Sequence, residues 1–218
     1  MEIKYIAHSS FIIKTKNAIV VTDPFANSIG FKFPKTVADI VTISHNHDDH
    51  SNIAGIEDDP VVLDWPGEFE VKSVAIRGIS TFHDDENGAK RGKNIMYKII
   101  SEGINILHCG DLGQDLNDDV VEKIGTVDVL LIPVGGHSSI DPQVAMRIAK
   151  KIEPAIVIPM HYGHPRLDQK TFGQLKPITD FLTMMGQTGN ISVPKLVLKH
   201  EDIASETNTK VVVLDQTA

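Results

Sequence analysis

A short apolar strand that runs straight into a histidine-rich turn constrains this chain more than any other feature. Residues 40–43 are apolar except for one threonine and rich in β-branched side chains, which predicts a buried strand. Residues 44–50 follow at once and contain three histidines and two aspartates. Imidazole nitrogens and carboxylate oxygens suit zinc, and also iron or manganese. The turn therefore predicts a metal site at the end of a buried strand, with a solvated polar loop as the alternative.

Four further polar residues follow short apolar runs at predicted strand ends. They are His83, Asp111, His137 and His161. Side chains at strand ends are well placed to line an active site, because the sheet holds the backbone from which they project. Each also has an ordinary explanation as a loop residue or a buried core histidine. His108, inside the strand that precedes Asp111, is an alternative to His83 as a ligand.

The order of these residues resembles that of the metallo-β-lactamase superfamily. Residues 45–50 read His-Asn-His-Asp-Asp-His and match its HxHxDH signature, and the later His, Asp and His follow in the superfamily's order. The resemblance covers nearly the whole chain. Segments 110–111 and 159–162 look closest to the branch that includes L-ascorbate-6-phosphate lactonase and many uncharacterised hydrolases. The resemblance implies an αββα four-layer sandwich, whereas the periodicity alone indicates only a mixed α/β fold.

The resemblance also implies a site for two divalent metal ions, expected to be zinc, with manganese or iron as alternatives. Two such ions that share a carboxylate lower the pKa of bound water, so that hydroxide is available at neutral pH to attack a carbonyl carbon or a phosphorus. The implied ligands are His45, His47 and His83 for one ion, Asp49, His50 and His161 for the other, and Asp111 as the bridge.

Asp23, at the end of the third predicted strand, could orient a ligating imidazole or cap the strand.

Asp49 and His137 are the candidate catalytic residues. His137 follows a Gly-Gly turn at the expected active-site edge and could donate a proton to the leaving group or stabilise an oxyanion. Arg91, in the polar loop after His83, could hold a phosphate or carboxylate in a bidentate contact. Together with His137 and His164 it is a candidate for substrate binding. The alternative for Arg91 is a solvated loop side chain.

These features favour a metal-dependent hydrolase that cleaves an ester-type bond, either a lactone or a phosphodiester. Three alternatives stay open: a non-haem iron oxidoreductase or dioxygenase on the same fold, a module that processes RNA or DNA, and an inactive metal-binding relic. A fused flavin domain would support the di-iron alternative, and an added arm or basic tract the nucleic-acid one; the sequence shows none of these. The complete ligand set argues against a relic.

Composition and charge indicate which cellular compartment and which partners to expect. Cys109 is the only cysteine among 218 residues, which excludes an internal disulfide and fits a reducing compartment. The first residues lack the apolar segment of a signal peptide, and no apolar run approaches the roughly 18 residues of a membrane span. The net charge of −8 disfavours nucleic acid as a partner. We therefore expect a cytoplasmic enzyme with a small-molecule substrate and no membrane association, while its oligomeric state stays open.

A strand-rich first half precedes alternating strands and helices, which indicates sheets packed face to face in one domain over residues 1–218. We expect Pro177 to limit or kink the last helix. We also expect a break near Gly78 between two strands and a polar turn at residues 205–209. The expected helices cover residues 53–57, 116–124, 141–151 and 171–185. Strands are expected over residues 71–82, on both sides of that break, and over residues 195–198 and 211–214.

Overall fold

The computed structural model describes residues 1–189, 191–204 and 208–218, in which fifteen strands and five α-helices are found. In chain order the strands are β1 (Glu2–Ala7), β2 (Ser10–Lys14), β3 (Ile19–Thr22), β4 (Thr36–Val37), β5 (Ile40–Thr42), β6 (Ile56–Glu57), β7 (Val61–Leu63), β8 (Gly67–Val71), β9 (Val74–Phe82), β10 (Lys93–Ser101), β11 (Ile104–His108), β12 (Val129–Pro133), β13 (Ile156–Met160), β14 (Leu196–Val197) and β15 (Lys210–Val211). The helices are α1 (Asp118–Ile124), α2 (Pro142–Ile152), α3 (Gln169–Phe172), α4 (Ile178–Met184) and α5 (His200–Ala204), with 3-10 turns at Asn27–Ile29 and Ile53–Gly55.

Two large sheets carry the architecture, and their strand directions bring many strand ends to one edge. The six-stranded sheet has the order β14-β1-β2-β3-β5-β7, and the seven-stranded sheet has the order β15-β13-β12-β11-β10-β9-β8. In the first sheet β2 is antiparallel to β1 and β3, so β1 runs parallel to β3, β5 and β7. In the second sheet β10 is antiparallel to β9 and β11, so β9 runs parallel to β11, β12 and β13. The carboxyl ends of these parallel strands therefore share one edge in each sheet.

The two large sheets pack against each other around one hydrophobic cluster. It includes Phe11 of β2 and Tyr97 of β10, both completely buried. On the other face of the six-stranded sheet, β3 and β5 pack against a loop that contributes the buried side chains of Phe25 and Phe31. Helix α2 contacts both β12 and α4 and lies against the seven-stranded sheet. The mixed α/β sandwich predicted from the sequence is thus confirmed.

The break predicted inside residues 71–82 lies elsewhere than expected. Strand β9 continues through Gly78, and the interruption falls at Lys72 and Ser73, which both adopt positive φ angles. At Gly78 a Cβ atom would come within 3.0 Å of backbone atoms of both Pro66 and Trp65. This glycine permits the turn at Trp65 and Pro66 to approach the strand closely. The sequence of the strand does not show this contact, because the contact depends on residues outside the strand.

The helices agree with the sequence only in part. The predicted cap at Asp141 is confirmed, because its side chain accepts a hydrogen bond from the Val144 N–H at the start of α2. Residues 53–57 form a 3-10 turn and a short strand instead of a helix, and Pro177 divides residues 171–185 into the separate helices α3 and α4.

The final strands β14 and β15 are shorter than expected, and helix α5 between them was not anticipated. Residues 205–207 of the predicted polar turn lie outside the described residues. Among the helices that the structure describes, none combines the length and the apolar character needed to cross a membrane.

Candidate metal centre

The predicted metal ligands converge at the carboxyl edges of the two sheets. The turn after β5 supplies four of them, and strands β9, β11 and β13 each deliver one more. Within the part of the chain that the structure describes, they form three groups whose candidate ligand atoms lie within 4.8 Å of one another. The groups are His45, His47 and His83; His8, Asp49, His50 and His161; and His45, His50 and Asp111. All seven predicted ligands are thus brought together, and His8 joins them.

Asp111 faces imidazoles of both predicted ligand sets. Its Oδ1 lies 3.4 Å from Nε2 of His50, and its Oδ2 lies 3.6 Å from Nε2 of His83 and 3.2 Å from Nε2 of His161. Burial alone would raise the pKa of Asp111, but the imidazoles of His161 and His50 hold it well below its usual range. The Asp111 N–H donates to Oδ1 of Asn94 over 3.0 Å, which fixes the backbone that carries this carboxylate.

Several atoms in this centre are buried without a hydrogen-bond partner. Among the described residues they include Nε2 of His45, His50 and His161 and Oδ1 of Asp111. Each buried polar atom left unpaired costs about 1–3 kcal/mol. A divalent cation between these atoms would satisfy them together, and three-imidazole and imidazole–carboxylate sets are those that zinc accepts. The residues present therefore fit a metal centre.

Asp23 orients two of these imidazoles from behind. Its Oδ2 accepts hydrogen bonds from Nδ1 of His50 over 2.8 Å and from Oγ of Ser44 over 2.6 Å, and its Oδ1 accepts from the Ser44 N–H over 2.8 Å. The Ser44 hydroxyl in turn lies 2.9 Å from Nδ1 of His45. With protons on both Nδ1 atoms, the two rings present Nε2 lone pairs to the centre. Of the two roles considered for Asp23, the structure shows the orienting one.

His108 lies in the core and outside every ligand group described above. Its side chain is completely buried, and Nε2 donates to the Ser9 carbonyl over 2.7 Å. Its ring contacts the Phe11 ring edge-on at 6.1 Å between centroids. Burial lowers the pKa of His108, so it is a neutral structural side chain. Of the two histidines weighed as ligands, the geometry brings His83 to the centre.

His8 is the residue that the sequence reasoning missed. It follows β1, and its Nε2 lies 3.0 Å from Oδ2 of Asp49. Its ring centroid is 4.1 Å from that of His161, and the side chain is completely buried. Burial, together with the neighbouring His161, lowers the pKa of His8 to about 4. A histidine directly after a predicted strand was the available signal, the same one that identified His161.

A cavity of about 310 Å³ opens beside the metal centre. Its lining includes the predicted ligand His83 and two of the predicted substrate residues, Arg91 and His137. His137 is exposed and has a positive φ of 59°. Ser139 also lines the cavity, and its buried Oγ has no hydrogen-bond partner among the described residues. A small molecule in this cavity would lie next to the His83 end of the centre.

The buried carboxylate of Asp84 shapes the loop that carries Arg91. Its two oxygens accept hydrogen bonds from the backbone N–H groups of Glu86, Gly88, Lys90 and Arg91. Burial opposes ionisation, but these N–H groups outweigh it and lower the pKa of Asp84 to about 2. Lys90 is paired with Glu86 over 2.6 Å, whereas the half-buried Arg91 guanidinium has no ion pair within the described residues. Arg91 is therefore available to an anion in the cavity.

His164 is separated from the other predicted substrate residues. It lines a different cavity, of about 390 Å³, together with Phe172. Its ring lies 5.1 Å from that of Phe31, and its Nδ1 accepts a hydrogen bond from the Arg166 N–H over 3.1 Å. The structure thus places Arg91 and His137 in one cavity and His164 in another.

Comparison with known proteins identifies relatives of this chain by sequence. The family described as the beta-lactamase superfamily domain matches residues 2–161. A UPF0173 metal-dependent hydrolase of Methanopyrus kandleri is 25% identical over 78% of this chain and 87% of its own length. A second, from Thermoplasma acidophilum, is 27% identical over 75% of this chain and 84% of its own.

Among solved structures, a Thermotoga maritima protein assigned to the zinc-dependent hydrolases of the metallo-β-lactamase superfamily is 35% identical. It superposes with a TM-score of 0.80, over 98% of this chain and 97% of its own. Two packed sheets with a histidine and aspartate centre at one edge define the class, a metal-dependent hydrolase. The chain belongs to the metallo-β-lactamase superfamily.

Proposed function

We propose that this enzyme binds two divalent ions, with zinc as the working metal, and hydrolyses an ester-type bond in a small anionic molecule. The bond is a lactone or a phosphodiester. The observation that carries the proposal is the position of Asp111 between two groups of ligand atoms beside a cavity lined by His83 and Arg91. We also propose that residues 1–218 form one domain and that the enzyme works in the cytoplasm. The single, buried and unpaired Cys109 supports a reducing compartment.

The donor set supports zinc and a hydrolytic reaction. Five imidazoles and two carboxylates make up the predicted ligands, and this mixture favours zinc over magnesium or calcium. Bound zinc ions supply hydroxide near neutral pH and stabilise negative charge on oxygen. No serine or cysteine nucleophile is needed, and burial raises the pKa of the only cysteine, Cys109, above its usual range. Cys109 is therefore a packing residue.

The size of the cavity supports a small substrate, and Arg91, unpaired within the described residues, rather than the aspartates that also line the cavity, supports a negative charge on it. Its volume of about 310 Å³ is at the lower end of the size of small-molecule sites. Arg91 offers a planar guanidinium that can bind a carboxylate or phosphate in a bidentate contact. His137 lines the same cavity, where its imidazole can donate a proton to the leaving oxygen. We assign anion binding to Arg91 and proton donation to His137.

Asp49 serves this chemistry as an ionised ligand. Burial would raise the pKa of Asp49, but the imidazoles of His50 and His8 hold it far below its usual range. Its Oδ2 lies 3.4 Å from Nε2 of His50 and 3.0 Å from Nε2 of His8. An oxygen so acidic does not take up a proton near neutral pH. Asp49 therefore contributes negative charge at the second metal position, the one predicted to be held by Asp49, His50 and His161, whereas the first is predicted to be held by His45, His47 and His83.

The proposal is tested by comparing two rates on zinc-loaded and manganese-loaded protein. One substrate is an activated phosphodiester and the other a small sugar lactone or homoserine lactone. Asp111→Ala is the inactive variant, and Asp119→Ala, an exposed aspartate of α1, is its matched control. We expect one substrate to be hydrolysed by the wild type and by Asp119→Ala, and by Asp111→Ala at a rate at least about 100-fold lower.

The outcome identifies the bond. Phosphodiester turnover that Asp111→Ala abolishes assigns phosphate esters, and lactone turnover assigns cyclic carboxylic esters. Absence of both activities from a protein that holds two zinc ions contradicts ester hydrolysis and leaves the iron-dependent redox alternative. Equal rates in Asp111→Ala and the wild type contradict the position of the centre.

A further inference from the structure

His8 reaches the centre by the same route as the predicted ligands. Strand β1 runs parallel to β3 and β5, so its carboxyl end lies at the same edge of the six-stranded sheet. The His8 backbone has a φ of 59°, a left-handed conformation that is costly for a residue with a Cβ atom. Its carbonyl accepts hydrogen bonds from the Tyr5 hydroxyl and from the His161 N–H, each over 2.7 Å. The fold therefore fixes a strained backbone that turns this imidazole toward the centre.

The His8 ring lies among the ligands of the second position. Its centroid is 4.1 Å from that of His161 and 5.2 Å from that of His50. One donor atom from each of His8, Asp49, His50 and His161 lies within 4.8 Å of the other three. The His8 side chain is completely buried, and no other carboxylate within the described residues forms an ion pair with it. The group thus contains four convergent donors where the sequence predicted three.

The distances within this group match those between ligands of one ion, and the one from His8 Nε2 to Asp49 Oδ2 also fits a hydrogen bond. Two atoms bound to zinc at about 2.0–2.1 Å lie roughly 3–3.5 Å apart at ordinary coordination angles. His8 Nε2 is 3.0 Å from Asp49 Oδ2, and His50 Nε2 is 3.4 Å from the same oxygen. Between the predicted ligands Asp111 and His161, Oδ2 of Asp111 lies 3.2 Å from Nε2 of His161. His8 therefore stands in the same relation to Asp49 as the predicted ligands stand to each other.

We propose that His8, through Nε2, is a fourth protein ligand of the second metal position, with Asp49, His50 and His161. This inference rests on the two-metal site proposed above. It makes the two positions unequal, since only three histidines, His45, His47 and His83, surround the first apart from the shared Asp111.

The inequality assigns different roles to the two positions. With Asp111 shared, the second position has five protein donors and the first has four. Of the predicted ligands, His83 of the first position lines the 310 Å³ cavity. We therefore expect the second position to hold its ion more tightly and the substrate to approach the first.

The test measures metal content and affinity as well as activity. Metal-free wild type, His8→Ala, His8→Gln and His200→Ala are titrated with zinc, and bound metal is counted by mass spectrometry. His200 is an exposed histidine whose Nδ1 donates a hydrogen bond to the Gly103 carbonyl over 2.9 Å. Gly103 precedes β11, at the end of that strand away from the centre, so His200 is the matched control. Circular dichroism of each metal-free variant checks that it is folded. The visible spectrum of each cobalt-loaded protein reports the coordination number of the bound ions.

The two His8 variants separate ligation from a hydrogen bond to Asp49. The glutamine amide can still donate to the Asp49 carboxylate but is a much poorer zinc ligand than imidazole. We expect both variants to bind the second zinc at least about 100-fold more weakly, with a changed cobalt spectrum, while the first zinc and the His200→Ala protein are unaffected. If His8→Ala fails to fold, His8→Gln gives the answer.

Two results would overturn the inference, and they can be told apart from failure of the proposed function. If His8→Gln alone binds the second zinc as tightly as the wild type, His8 acts by hydrogen bonding to Asp49. If both variants bind it as tightly as the wild type, His8 has no role at this position. In either case the wild type still binds two ions and the proposed function stands. A wild type that binds fewer than two zinc ions overturns the two-metal proposal and the role of His8 together.

Discussion

Nδ1 of His50 donates a hydrogen bond to Oδ2 of Asp23 over 2.8 Å, and both side chains are completely buried. The same oxygen also accepts from the Ser44 hydroxyl, which contacts Nδ1 of His45. One carboxylate thus sets the orientation of an imidazole from each of the two predicted ligand sets. The positions of the ligands consequently depend on a residue that touches no metal itself.

Replacement of Asp23 tests this arrangement. In Asp23→Asn the charge is lost and the amide cannot accept all three of the present hydrogen bonds, so His45 and His50 are held less firmly. We expect zinc affinity to fall about 10–100-fold, the range found for partners of metal-bound imidazoles. Zinc titration of the metal-free protein measures the change, with Asp119→Asn on the surface as the control. Unchanged affinity in Asp23→Asn would show that the ligands are positioned without this carboxylate.

Arg91 is expected to control substrate affinity more than turnover. Loss of a charged hydrogen bond costs about 1.5–3 kcal/mol, which corresponds to roughly a 10–100-fold increase in KM for an anionic substrate in Arg91→Ala. The value of kcat should change little, because the guanidinium contacts the substrate away from the reacting bond. Lys90→Ala is the matched control, since Lys90 is paired with Glu86, and its KM should stay within about threefold of the wild type. An equal effect of the two substitutions would contradict the assignment to Arg91.

Asp84 and Asp85 give a paired test of the loop that carries Arg91. Asp84 is buried and accepts four backbone hydrogen bonds, whereas its neighbour Asp85 is exposed. Asp84→Ala should free the loop, increase KM roughly as Arg91→Ala does, and speed cleavage of this segment in limited proteolysis. Asp85→Ala should match the wild type in both assays. A proteolysis pattern that is the same for all three proteins would mean that the loop is ordered by other contacts.

Gly110 and Gly92 give a paired test of packing under the centre. Both have positive φ angles, of 56° and 85°, so alanine is strained at either position. At Gly110, however, a Cβ atom would lie 2.4 Å from the Ser44 Cβ, whereas at Gly92 nothing lies within 4 Å. We expect Gly110→Ala to reduce the free energy of unfolding by about 1–3 kcal/mol more than Gly92→Ala, as measured by urea denaturation. Weaker zinc binding should accompany this loss in Gly110→Ala alone, because Ser44 is displaced.

Equal stability of the two glycine variants would contradict the packing described around Ser44. Unfolding is followed on metal-free protein, so that any difference in zinc binding does not contribute to the comparison.

Much of the metal centre could be predicted because its ligands stand in a dense or ordered pattern. The turn after β5 concentrates four predicted ligands, and the later three each follow a short apolar strand. Parallel strands bring such positions to one edge whatever their separation along the chain. His8 also follows a predicted strand directly, but it lies outside the ordered series of predicted ligands, and the direction of β1 relative to β3 is what places it at that edge. Strand order is a property of the folded sheet and cannot be read from the local sequence.

Other details depended on contacts between distant segments. Gly78 resembled a strand break but accommodates the turn at Trp65 and Pro66. His164 follows the predicted ligand His161 closely, yet the chain leads it to a separate cavity against Phe31. In both cases the local sequence specifies a residue type, and the neighbour that gives it a role comes from elsewhere in the fold.

We propose above all that Asp111 joins two metal positions into one centre. The most direct measurement counts zinc ions per chain, by mass spectrometry of zinc-loaded and buffer-exchanged protein, in the wild type, Asp111→Ala and the surface control Asp119→Ala. We predict two zinc ions in the wild type and in Asp119→Ala, and fewer in Asp111→Ala. One ion or none in the wild type, or two retained in Asp111→Ala, would contradict this account of the centre.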